Sequence, residues 1–240
     1  MLFGGPIYNP KPLREKIREI TRDLRLDQTL TKILVPVFDV RRLFPRALSS
    51  YKAHGEHLEE AIRPKLSDVC IGTTAAPTYF PAHEFKEFLG FKRLGKNHKH
   101  GDFAWYHLID GGVGANNPAT MEAIMKVASE QMCGENDDFP SLTASDGKVD
   151  FTKYHVISIG TGSLKKEETE MYSAKECGEW SACQWGFKFR PGRRSPIVDV
   201  FTQAGNFLVD YNVAMLFHSH GCEKNYLRIQ LMVVRNYFMS

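Results

Sequence analysis

The stretch WYHLIDGGVGANNP, residues 105–118, is the part of the sequence from which we predict the fold. Its first half alternates as a β-strand does, with Trp105, His107 and Ile109 on one side. Asp110 then falls at the carboxyl end of this strand. Open α/β sheets gather their functional sites outside the carboxyl ends of strands, so Asp110 is a candidate catalytic carboxylate.

The second half of the stretch predicts a turn followed by a helix. Gly111, Gly112 and Gly114 are expected to adopt backbone angles that other residues resist. Asn117 suits the N-cap of a helix and Pro118 suits its first position. Taken alone, this stretch also fits an Asp-Gly turn that has no chemical role.

The composition is that of an ordinary soluble domain. The chain has 240 residues, of which 42% are hydrophobic and 25% are charged, enough for one large or two small domains. A formal net charge of +3 argues against nucleic acid or another polyanion as partner. The scattered basic pairs, such as those at 41–42 and 193–194, indicate a solvated surface, with weak attraction to an anionic membrane as the alternative.

Cysteine and histidine usage predicts neither a disulfide framework nor a metal site. The five cysteines include no C-x-x-C pair, which favours reduced thiols in the cytoplasm. His98, His100 and His107 lack the spacing of metal ligands, so no metal is expected. No apolar run reaches the roughly 20 residues that span a bilayer, and the first residues do not resemble a signal peptide.

Along the chain, apolar periodicity predicts alternating helices and strands. Helices are predicted over 10–24, 67–76, 118–132, 172–185 and 195–217, and strands over 33–38, 105–109, 154–159 and 225–230. The side chains expected to face inward from the first helix are Leu13, Ile17, Ile20 and Leu24, and from the last helix Val198, Phe201, Leu208, Tyr211 and Met215. The alternation predicts an α/β fold with a mostly parallel sheet.

Two single residues have structural interpretations. Gly72 lies in IGTTAA, which resembles a nucleophile elbow only superficially, because it has no G-x-S-x-G. We expect Gly72 to allow close packing of a helix instead. Pro36 inside the strand ILVPVF cannot donate to a sheet ladder, which suggests an edge strand or a bulge, and Asp39 is expected to close that strand as a turn residue.

Several motifs together resemble the patatin-like phospholipase family, and plant patatins in particular. They occur in the order in which that family has them, and the resemblance extends over about residues 2–230. The matching stretches are DLRLDQTLTKILVPVFDVRRL (23–43), LSDVCIGTTAAPTYFPAH (66–83), LIDGGVGANNPA (108–119), ISIGTG (157–162) and NYLRIQ (225–230).

The resemblance implies a lipid acyl hydrolase with a three-layer α/β sandwich. Such enzymes use a Ser–Asp dyad, and by position Asp110, Gly111 and Gly112 form the family's D-G-G motif, with Asp110 as general base. The implied substrates are phospholipid or galactolipid esters at a membrane surface, with no cofactor. The implied location is the cytoplasm, peripheral to a membrane, or the vacuole if a preceding segment carries a signal peptide.

The chain departs from the family in what it lacks. It contains no G-x-S-x-G, the family's nucleophile motif, and no Gly-Gly-Gly of the oxyanion loop. We therefore expect a partial patatin-like domain over residues 2–230, truncated before its first strands, and a divergent tail over 231–240. No nucleophile is assigned in this chain, because Ser67, Ser158 and Ser163 are not flanked by the glycines of an elbow.

Three functional hypotheses remain. The first is a lipid acyl hydrolase that is inactive as this 240-residue chain because it lacks its nucleophile. The second is a non-catalytic remnant or storage-type protein. The third is a nucleotide-binding module, which the lack of a G-x-x-x-x-G-K-[ST] or G-x-G-x-x-G motif disfavours.

Overall fold

The structure is a computed structural model that describes residues 5–51, 63–90, 102–114, 119–132, 148–164, 172–187 and 195–233. The chain divides into two compact units, Met1–Cys133 and Gly134–Ser240. Each unit combines helices with strands, so the chain is α/β, as the sequence predicts.

The first unit contains three helices and a four-stranded sheet among its described residues. The helices are α1 (Lys11–Thr21), α2 (Leu66–Thr73) and α3 (Thr120–Met132). The strands are β1 (Leu34–Asp39), β2 (Phe44–Ser49), β3 (His83–Gly90) and β4 (Asp102–Asp110), in the spatial order β2-β1-β4-β3. The sheet core consists of Leu26, Val37, Leu48, Val69, Tyr106 and Leu108.

All three pairings of this sheet are antiparallel, which differs from the mostly parallel sheet expected. The reason is the length of the connections. β1 and β2 are joined by four residues, and so short a connection permits only an antiparallel hairpin. Neither β2 nor β3 was predicted as a strand.

Pro36 lies in β1, which is inside the sheet rather than at its edge. It pairs with Ala47 of β2, but the pairing of β1 with β4 begins only at Val37, which lies opposite Asp110. Pro36 therefore lies beyond the ladder with β4, and the amide hydrogen that it lacks is not needed there.

Asp39 closes β1 as a turn residue, as expected. Its Oδ1 accepts hydrogen bonds from the backbone N–H groups of Arg41 and Arg42, at 3.0 and 3.2 Å. The side chain is only 1% exposed, and its Oδ2 lies 3.6 Å from Nη1 of Arg46. The carboxylate thus holds the β1–β2 turn and also neutralises a buried cation.

The substitution Asp39→Asn is expected to lower the free energy of unfolding by about 2 kcal/mol. The amide oxygen can still accept from the turn, but the charge opposite Arg46 is lost in a buried position. Urea unfolding followed by tryptophan fluorescence measures the change. Asp23→Asn is the control, because Asp23 pairs with Lys65 at the surface, where an ion pair adds little. An Asp39→Asn variant as stable as the Asp23→Asn variant would contradict this account.

The second unit contains two parallel strand pairs and three helices among its described residues. Strand β5 (Val156–Ile159) pairs with β7 (Tyr226–Ile229), and β6 (Ser163–Leu164) pairs with β8 (Met232–Val233). The helices are α4 (Ala174–Gly178), α5 (Ala182–Phe187) and α6 (Pro196–Ser219). Where a single helix was predicted over 172–185, the structure has the two short helices α4 and α5.

Helix α6 contacts its unit with a different side from the one predicted. Val213 and Phe217 are fully buried, and Phe217 stacks on Tyr226 of β7. The five residues expected to face inward are all exposed, namely Val198, Phe201, Leu208, Tyr211 and Met215. Because α6 carries apolar residues on more than one side, the periodicity could not identify the buried one.

Candidate functional site

Asp110 is the last residue of β4, as predicted from the sequence. It lies opposite Val37 of β1, and its backbone N–H donates to the carbonyl of Ala75 at 3.2 Å. The residue is partly exposed. A central strand on one side and the segment after α2 on the other therefore fix the backbone of Asp110.

The Asp110 carboxylate is oriented by the turn that follows it. A short 3-10 helix, Gly111–Gly114, begins directly after β4, and the backbone N–H of Gly112 donates to Oδ1 of Asp110 at 2.8 Å. Oδ2 accepts no hydrogen bond from the described residues. Among the described residues, the backbone thus holds one oxygen of the Asp110 carboxylate and leaves the other without a hydrogen-bond partner.

Gly111 is required for a different reason from the one predicted. Among the described glycines, only Gly162 and Gly221 have positive φ. A Cβ atom on Gly111 would lie 2.6 Å from the carbonyl carbon of Pro36 and 2.7 Å from its oxygen. Gly111 therefore serves close contact between two backbones rather than an unusual backbone angle.

Helix α2 packs closely against β4 at Gly72, which confirms the expectation that this glycine allows close packing of a helix. A Cβ atom on Gly72 would lie 2.9 Å from Cδ1 of Leu108. At the end of the same helix, the hydroxyl of Thr73 donates to the carbonyl oxygen of Pro36 at 2.8 Å. These contacts tie α2 to β1 and β4 beside Asp110.

His107 does not form a triad with Asp110. Positions 107 and 110 point to opposite faces of β4, because side chains alternate along a strand. Nδ1 of His107 lies 3.2 Å from Oε2 of Glu84, and its Nε2 lies 3.4 Å from Nη1 of Arg41. The imidazole is thus held by groups on the face away from the candidate base.

The structure also contains a His–Asp pair that sequence reasoning missed. Nε2 of His83, at the start of β3, lies 2.8 Å from Oδ1 of Asp68 in α2, and the His83 side chain is 7% exposed. The two residues are fifteen positions apart, so no local spacing signals the pair. It fastens α2 to β3, next to the strand that ends in Asp110.

No serine side chain hydrogen-bonds the Asp110 carboxylate in the described ranges. Ser67 is buried in α2, and Ser158, in the second unit, accepts a hydrogen bond from Nη1 of Arg228 at 2.8 Å. Ser163 forms the start of β6. Asn117, Pro118, His98 and His100, singled out in the sequence, lie outside the described residues.

Two cysteine thiols, those of Cys70 and Cys222, have raised pKa values. Burial raises the pKa of the Cys70 thiol in α2, and burial followed by the charges of Glu223 and Asp150 raises the pKa of the Cys222 thiol. A raised pKa leaves little thiolate at neutral pH, and the thiolate is the reactive form. Their raised pKa values therefore do not favour either thiol as a nucleophile.

The described ranges contain neither a metal-binding cluster nor a membrane-spanning helix. There, no three His, Cys, Asp or Glu side chains are arranged to hold a metal ion. Of the helices described above, none combines the length and apolar character needed to cross a bilayer.

Comparison with known proteins gives consistent similarities. The sequence model of patatin-like phospholipases matches residues 1–123. Patatin-like protein 3 of Arabidopsis thaliana is 39% identical over 95% of this chain and 48% of its own length. Patatin-like protein 2 of the same plant is 39% identical over 94% and 50%, and Patatin-like protein 1 of Oryza sativa subsp. indica is 38% identical over 94% and 49%. The chain spans about half the length of the curated relatives that it matches.

Proposed function

The chain belongs to the patatin-like phospholipase family, and we propose that it carries the general-base part of a lipid acyl hydrolase site, with Asp110 as proton acceptor. The observation that supports this most is the orientation of the carboxylate. The Gly112 N–H holds Oδ1, and Oδ2 has no partner within the described residues. We propose phospholipid or galactolipid esters at a membrane surface as the substrate class.

In the proposed reaction, Oδ2 of Asp110 accepts the proton of a serine hydroxyl as its oxygen attacks the ester carbonyl. The proton then passes from Asp110 to the departing alcohol, and water later hydrolyses the acyl-enzyme by the same route. A serine hydroxyl is a weak nucleophile unless a base is within hydrogen-bond reach. The N–H of Gly112 keeps the carboxylate oriented through both proton transfers.

The serine for this reaction is proposed to come from a G-x-S-x-G segment, which this sequence lacks. Residues 2–230 would then be one part of a patatin-like domain. The second candidate, a non-catalytic member of the family, is favoured by the same lack of a nucleophile motif. Both candidates predict an inert chain, and they differ in whether adding a G-x-S-x-G segment restores turnover.

The first test is turnover of a short-chain p-nitrophenyl ester by the purified chain, together with labelling by a serine-reactive fluorophosphonate. We expect neither turnover nor label, because no serine side chain hydrogen-bonds the Asp110 carboxylate in the described ranges. Asp110→Ala is the matched control and should behave identically. Turnover that disappears in Asp110→Ala, with one labelled serine, would show that this chain supplies its own nucleophile.

A further inference from the structure

One face of the β3–β4 hairpin combines exposed aromatic rings with cationic side chains. Phe103 and Trp105 of β4 are 46% and 45% exposed. Lys86 of β3 lies opposite Trp105, and His107 and Arg41 continue the row. We call these five residues the aromatic–basic face.

The geometry joins the rings and the cations into one surface. Nζ of Lys86 lies 4.9 Å from the centre of the Phe103 ring and 5.8 Å from that of Trp105. The Trp105 and His107 rings are stacked with their centres 6.5 Å apart. The ammonium of Lys86 is thus held beside two apolar rings, an arrangement typical of side chains at a boundary between apolar and aqueous media.

The side chains on the other face of the same strand have a different role. Tyr106 and Leu108 are fully buried in the sheet core, and Tyr106 stacks on Phe85 of β3 at 4.6 Å. Core packing therefore accounts for these two even-numbered positions of β4. It does not account for an exposed Phe103 and Trp105 at the odd-numbered ones.

We propose that the aromatic–basic face docks the protein on an anionic membrane surface. Tryptophan is enriched at the headgroup level of bilayers, where its ring is apolar and its N–H remains hydrated. Lys86 and Arg41 attract anionic headgroups, whereas Glu84 is the acidic residue of this face and is paired with His107.

The choice of a lipid occupant over a nucleic acid rests in part on the proposed function, since basic and aromatic residues also bind single strands. A net charge of only +3 disfavours a polyanion as partner. The surface lies on the side of the sheet away from the Asp110 side chain. Because the two lie on different sides of the sheet, vesicle binding by the aromatic–basic face can be measured separately from any reaction at Asp110.

The test is co-sedimentation with vesicles of phosphatidylcholine containing about one-third phosphatidylserine, compared with phosphatidylcholine alone. We expect binding to the anionic vesicles that weakens as salt is added. Lys86→Glu and Trp105→Ala should each lower the affinity about fivefold or more, by removing a cation or an interfacial ring. Phe44→Ala is the matched control, because Phe44 is a 62% exposed aromatic on another strand of the same sheet, and it should bind normally.

A second measurement observes the unmodified chain itself rather than a loss of affinity in a variant. Brominated lipids should quench the Trp105 fluorescence of the unmodified chain, identified as the emission that disappears in Trp105→Phe. Asp110→Ala should bind vesicles as the unmodified chain does, so docking is tested separately from the proposed role of Asp110 as proton acceptor. Equal binding by all variants, unquenched Trp105, or binding that a single-stranded oligonucleotide abolishes would overturn the proposal.

Discussion

Asp110→Asn is expected to lower ester hydrolysis about 10²–10⁴-fold in a protein that carries a G-x-S-x-G segment fused ahead of Met1. A patatin-like relative whose sequence carries G-x-S-x-G ahead of the region that this chain matches can provide this segment. Asparagine keeps an oxygen that can accept from the Gly112 N–H, so the turn is preserved. Its side chain cannot accept the serine proton, so the loss should appear in kcat.

The measurement is the kcat and KM for a p-nitrophenyl ester, with thermal unfolding of each variant recorded in parallel. Asp23→Asn is the control, because it also removes a carboxylate charge. Asp23 is exposed and is distant in sequence from Asp110. A fusion that turns over normally with Asn at position 110 would exclude Asp110 as the general base. A fusion inert with Asp110 intact, yet cooperatively folded, would favour the non-catalytic alternative.

The position of Asp110 could be predicted because it depends on local signals. The alternation along residues 105–109 gives the strand, and the D-G-G sequence gives its end. The close packing at Gly72 was predictable as well, because a glycine amid small residues has few other uses in a helix. The role of Gly111 could not be predicted from the sequence. Gly111 makes its close backbone contact with Pro36, which is 75 positions away in the sequence.

The direction of the sheet strands could not be predicted from alternating helices and strands alone. Strand β3, HEFKEFLG, does alternate, with Phe85 inward and Glu84 and Lys86 outward, but its charged residues resemble a polar connection. Strand β2 begins with exposed Phe44 followed by Pro45, a weak strand signal. With both strands missed, the two antiparallel hairpins were missed too.

The faces of the helices show a further limit of sequence periodicity. Leu13, Ile20 and Leu24, expected on the buried side of the first helix, are all exposed, as are the five residues of α6 named above. A stripe of apolar residues indicates that a helix has an apolar side. The stripe does not indicate whether that apolar side packs against the rest of the unit.

Gly111→Ala is expected to lower the free energy of unfolding by about 3 kcal/mol, at the upper end of overpacking effects. The added Cβ would lie 2.6 Å from the carbonyl carbon of Pro36, and something must shift to remove the overlap. The obstructing atoms belong to the backbone of β1, which is paired on both sides, by β2 and β4. For a chain of this length, the change corresponds to a decrease in Tm of roughly 6–12 °C.

Two other glycines provide a graded control in the same unfolding experiment. Gly72→Ala places its Cβ 2.9 Å from the side chain of Leu108, which can rotate, and alanine also favours the helix, so we expect a smaller loss of about 1 kcal/mol. Gly5→Ala meets nothing within 4 Å and should be neutral. If Gly111→Ala were no more destabilising than Gly72→Ala, the backbone contact with Pro36 would not be what requires glycine in the D-G-G motif. In the fused enzyme, Gly111→Ala is expected to lower activity together with stability, because the contact between Gly111 and Pro36 positions the end of β4 that carries Asp110.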